Sequence, residues 1–157
     1  MIKSHKLWIS VAWAVAGVMI VSAIAFAQGR HPRYIHARSD LRAAQILLRI
    51  HDEPNVMRHV DAVHAEVEAA IGEIDRAAVI DRRDWEDRPR IDTNIDRPGR
   101  FRKVMALLAS ARHDIGAEED NPRASGWRDA AYRHIDAAME QMRRAARDLR
   151  IDRLEGY

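Results

Sequence analysis

In the stretch DAVHAEVE, Asp61, His64 and Glu68 stand three and four residues apart. On a helix this spacing makes them neighbours on one side. A histidine between carboxylates is a set that holds zinc or, in a four-helix bundle, half of a binuclear iron centre. His134, in the related stretch DAAYRHID, is a second candidate ligand. Together with the methionines it raises the possibility of haem, whose iron takes His and Met as axial ligands. His64, Glu68 and His134 are therefore the metal-ligand candidates.

Helical angles weaken this reading. His64 falls about 40° from the centre of the apolar stripe on its helix, whereas Asp61 and Glu68 fall about 100° and 80° away, on the flank. His134 lies about 80° off its own stripe. The expectation is a core-edge histidine bonded to a neighbour such as Tyr34 or a backbone carbonyl. A binuclear iron bundle needs inward acids from four helices and a Glu-x-x-His on two. Here Asp-x-x-His occurs once, and the matching position in the later stretch is Tyr132. Met139 and Met142 sit where core residues belong and read as packing. His31, close to the mature start, invites adventitious copper or nickel.

Other chemistry is thinner still. The chain has no cysteine, which removes thiolate metal sites, covalent haem attachment and cysteine nucleophiles. It has no Gly-rich phosphate loop, Gly-x-Ser-x-Gly or His-Glu-x-x-His motif. Ser39, Ser110 and Ser125 are the only serines beyond the leader, and none stands in a catalytic pattern. Glu118, Glu119 and Asp120 read as a solvated helix end. No cofactor and no catalytic residue is assigned, and the expected protein is not an enzyme.

The elements that must position these residues begin after residue 27. Lys3 and Lys6 form a basic start, residues 7–27 carry no charge, and Ala25-Phe26-Ala27 is a small-x-small cleavage pattern. This predicts a secretory signal peptide cut after Ala27. The uncharged run exceeds the usual core of about 7–15 residues and approaches the ~20 that span a bilayer. An uncleaved anchor over 7–27 is the alternative. Residues 28–157 form one domain, expected in the periplasm or secreted. The whole chain has 26 basic and 24 acidic residues, and the two leader lysines are the excess. No nucleic-acid surface is expected.

Apolar residues in the mature chain recur at helical spacing, and strand signals are nearly absent. Four helices are expected. The first, about 32–51, has the seam Tyr34, Ala37, Leu41, Ala44 and Leu48. DEPN breaks the chain and Pro54 opens the second, about 55–81, with the seam Met57, Val60, His64, Val67, Ile71, Ile74 and Ala78. The third starts near Pro98-Gly99, with Phe101, Val104, Leu108, Ala111 and Ile115. The fourth follows the Asn121-Pro122 cap and runs to about Leu149, with Ala131, Ile135, Ala138, Met142, Ala145 and Leu149. These narrow seams predict an all-α four-helix bundle.

Residues 61–78 align with 129–146, with identities at Asp61, Ala62, Ala69, Ala70, Arg76, Ala77 and Ala78. The first and third helices align as well, Tyr34 with Phe101, Leu41 with Leu108 and Ala44 with Ala111. The expected architecture is therefore two related helical hairpins, an internal duplication. Between them lies the connector 82–99. A loop beyond about 12–15 residues is unusual in a small domain and is commonly functional or disordered. Its apolar points, Trp85, Ile91 and Ile95, either pin it to the bundle or form a partner-binding edge. The connector is long enough to cross the bundle, so the order of the hairpins stays open. A second apolar line on the first helix, Ile35, Ile46 and Ile50, awaits either a neighbouring helix or a homodimer partner.

HPRYIHARSDLRAA after the leader, DRPGR, EEDNP and HIDAAM resemble a group of small exported bacterial all-helical proteins with no established activity. The resemblance covers residues 28–157 and implies export and an all-helical fold, but no functional residue. Two function classes follow. The first is a non-enzymatic binding or structural protein of the cell envelope, with an unknown protein or small ligand as partner. The alternative is a periplasmic metal- or haem-binding bundle. A helical periplasmic chaperone is one version of the first, although the repeated Leu-Thr-x-x-Gln pattern of such chaperones is missing.

Overall fold

A computed structural model describes residues 32–80, 89–116 and 125–151. The leader and possible anchor, His31, Trp85, Glu118 to Asp120 and the Asn121-Pro122 cap lie outside the described residues. The described residues form four helices and no strand: α1 (Pro32–Leu48), α2 (Pro54–Ile80), α3 (Arg97–Gly116) and α4 (Ser125–Asp148). This is the expected all-α four-helix bundle. No helix among the described residues is long and apolar enough to cross a membrane.

Local chemistry explains the helix ends. Glu53 caps α2: its carbonyl accepts from the Val56 and Met57 amides at 2.9 and 3.0 Å, and Pro54 fills the next position, where no amide hydrogen is required. Asp96 caps α3 by accepting the Gly99 amide at 2.9 Å. At the far end of α4, the Ile151 amide reaches the Ala146 carbonyl at 2.8 Å, and the Arg150 amide reaches that of Arg147 at 3.1 Å. This is a Schellman closure. Its left-handed position is held by Arg150 at φ 54°, where a glycine would carry no steric penalty. Arg150→Gly is therefore expected to raise stability by about 0.5–1 kcal/mol, measured as a higher urea midpoint with an unchanged m-value.

Specific cross-helix pairs define the layout. On α1 and α2, Arg38 meets Asp75 and Arg49 meets His64, so the two helices are antiparallel. On α3 and α4, Arg112 meets Asp136, while Gly116 lies against Tyr132. Between the hairpins α2 packs against α4, with Glu66 on His134 and His59 near Asp148. Helix α1 faces α3 through Asp40 and Ser110. Since α2 and α3 both run opposite to α4, they are parallel to each other. The end of α2 and the start of α3 therefore lie at opposite ends of the bundle, on the order of 40 Å apart for a 27-residue helix. That separation explains why the connector is long.

Every predicted seam residue of α1 and α3 is buried, as are Ala131, Ile135, Ala138, Met142 and Ala145 of α4. Leu149 is half-buried against the core. On α2 the expected stripe needs correcting. Val56, Val63 and Ala70 are fully buried, Met57 is only half-buried, and His64 sits at the edge. The centre of the buried stripe falls about 70° from His64. Helix α2 packs against both α1 and α4, so its apolar face is wider than a single seam. The second line on α1 is partly covered: Ile50 packs on the core and Ile35 is half-buried, leaving Ile46 exposed.

Candidate functional site

The three metal-ligand candidates sit in two separate settings. His64 accepts a hydrogen bond at Nε2 from Arg49 Nε, at 3.1 Å, so its partner is Arg49 and not Tyr34. Its Nδ1 lies 3.9 Å from Glu68 Oε2, a longer approach on an exposed carboxylate. His134 instead places Nδ1 2.7 Å from Glu66 Oε2. That contact ties α4 to α2 and leaves His134 with a different carboxylate from the one beside His64. Among the described residues, no three His, Asp or Glu side chains group closely enough to hold a metal ion.

The aligned positions of the two hairpins meet in matching ways. Glu66 and His134 correspond in the alignment of 61–78 with 129–146, and they bond to each other. Tyr132 corresponds to His64, and Gly116 to Arg49. His64 is bonded to Arg49, while the Tyr132 hydroxyl packs so closely on Gly116 that a Cβ there would collide with it. The Arg112 guanidinium covers the Tyr132 ring, 5.0 Å from its centre, and pairs with Asp136 at 2.5 Å. Arg112, His113, Gly116 and Tyr132 line an open dish of about 310 Å³.

Two ion clusters hold helices in place. Arg38 is almost wholly buried and grips Asp75 with both Nε, at 2.5 Å, and Nη2, at 3.3 Å. At the other end Asp52, in the α1–α2 turn, accepts from Arg97 Nε at 3.0 Å and Arg97 Nη2 at 2.6 Å, and also from Arg100 Nη2. The Arg97 hydrogen bonds, helped by the Glu53 amide and Arg100, hold its carboxyl at about 2. Both arginines lie in the first turn of α3, where cations oppose the helix dipole, and Asp52 offsets that repulsion. Asp40 behaves in the opposite sense. Its burial raises its carboxyl above the usual range, with Asp114 adding to the shift; a Ser110 hydrogen bond, His36 and Lys103 act against it.

A wider opening involves the connector. Ile91 and Ile95 are half-buried and pack against the core, so they do anchor the chain. They also form one side of a groove of about 620 Å³, together with Arg90 and Asp92. The other side is Gly99, Arg102, Lys103 and Ala106 of α3. These four positions follow the i, i+3, i+4, i+7 rule and point about 170° away from the core stripe of α3. Gly99 and Ala106 contribute almost no bulk, which leaves the space open. Asp92 Oδ1 is engaged by the Asn94 amide at 2.8 Å, in a local turn that shapes the connector. Among the described residues Arg90 and Arg102 form no ion pair, whereas Lys103 lies near Asp40.

Sequence reasoning reached Ile91 and Ile95 but missed Arg90, Arg102 and Lys103. The stripe 99–106 was readable as an outer helix face, but nothing local says that the connector lies beside it. No family model, no curated protein and no solved structure matches this chain.

Proposed function

We propose that this is an exported, non-enzymatic binding protein of the bacterial cell envelope, whose partner docks in the groove between the connector and α3. One observation carries the reading. Ile91 and Ile95 of the connector wall a groove of about 620 Å³, within the range of roughly 300–1,000 Å³ common for ligand sites. The basic start, the uncharged run 7–27 and Ala25-Phe26-Ala27 support export. The contacts between aligned positions support an origin by duplication of one hairpin, with the connector as the part that has no counterpart.

The test is site-specific photocrosslinking in the native host. A crosslinking residue at Ala106, in the groove, is expected to give a discrete adduct absent from one at exposed Ala65 on α2. N-terminal sequencing of the same material is expected to begin at Gln28. Identical adduct patterns at the two positions, or no adduct at either, would count against the groove as the docking site.

A further inference from the structure

We infer that the connector groove binds a small amphiphilic anion, a medium-chain carboxylate, with its apolar tail on Ile91, Ile95 and Ala106 and its headgroup at Arg90 and Arg102. The inference rests on the binding-protein reading and adds the chemical class of the ligand. Its basis is the mismatch between the walls and the charge of the groove. Three of the eight lining residues are cations and one is an acid. That acid, Asp92, already accepts the Asn94 amide. Lys103 has Asp40 nearby, so its charge is partly answered within the fold.

Arg90 and Arg102 are different. They approach the groove from its two sides, one from the connector and one from α3, and neither pairs with a carboxylate among the described residues. Several arginines elsewhere in the bundle are held by an acid: Arg38 by Asp75, Arg97 and Arg100 by Asp52, and Arg112 by Asp136. Two guanidiniums beside an apolar wall suit a planar carboxylate with an alkyl tail, because the guanidinium fork matches carboxylate geometry. A neutral apolar ligand would gain nothing from the two charges, and a cationic one would be repelled.

Full-chain protein titrated with decanoate below its micelle threshold, with decyltrimethylammonium and decanol as controls, tests this by calorimetry. Decanoate is expected to bind with one-to-one stoichiometry and at least tenfold more tightly than either control. Arg90→Ala with Arg102→Ala is expected to weaken it at least tenfold while thermal unfolding stays unchanged, since both side chains lie at the surface. Arg102→Lys, which keeps the charge but loses the fork, is expected to fall between. Equal binding of all three amphiphiles, or decanoate affinity unaltered in the double variant, overturns the inference. If decanoate does not bind but the Ala106 crosslink still gives its specific adduct, the ligand class is wrong and the binding reading stands. Loss of both removes both.

Discussion

Asp52→Asn is expected to destabilise the protein by about 3 kcal/mol at pH 7, because it leaves Arg100 buried without its counter-charge. The Asp52 and Arg100 side chains are 10% and 7% exposed, so water replaces little of what is lost. The effect should depend on pH in a defined way. The folded carboxyl sits at about 2, below its ordinary 3.8. A depressed carboxyl contributes stability above its unfolded pKa and loses it as pH falls toward the folded one. The wild type should therefore shed about 2 kcal/mol from this group between pH 5 and pH 2. The Asn variant should lack that component. Urea unfolding of both proteins at pH 7, 4 and 2.5 measures it, and a constant gap between them across that range would contradict the role assigned to Asp52.

The consequence extends beyond stability. Asp52 joins the α1–α2 turn to the start of α3, across 45 and 48 residues of sequence to Arg97 and Arg100. This contact places the beginning of the second hairpin at the turn end of the first. It thereby sets the direction of α3 and the path of the connector that walls the groove. Weakening of the groove's ligand affinity in Asp52→Asn, under conditions where the protein is still folded, would be the functional trace of that link.

Val63→Asp is expected to abolish cooperative folding or to cost more than about 4 kcal/mol, since it places a carboxylate among apolar side chains with no partner. Met57→Asp is expected to cost less than about 1 kcal/mol, because position 57 is half open to water and the acid falls in the first turn of α2. Val63 is fully buried. The pair is informative because the seam read from periodicity includes Met57 and omits Val63. Circular dichroism and urea unfolding of the two variants decide between the registers.

The α1 and α3 seams were legible because each helix carries one dominant apolar line, and spacing of three and four residues is a local property. The α2 seam was displaced because two neighbours share that helix. Alanines and valines then extend around its face, and a rule built for one seam selects the wrong edge. The metal candidates illustrate the same limit. Asp61, His64 and Glu68 lie close in sequence, yet the bond that orients His64 comes from Arg49, just past the end of α1. His134 is claimed by Glu66, whose role no local spacing announces.

By itself the sequence determined four helices, their approximate ends, most of their buried positions and a likeness between the hairpins, because helix formation and amphipathic patterning are written within a few turns of chain. Only the tertiary structure decided that α2 and α3 run parallel, that the connector must join opposite ends of the bundle, and that Ile91 and Ile95 share a groove with Arg102. Those facts depend on charges and surfaces far apart in the chain, brought together when Asp52 meets Arg97 and Arg100, and periodicity along one helix carries no information about its distant partners.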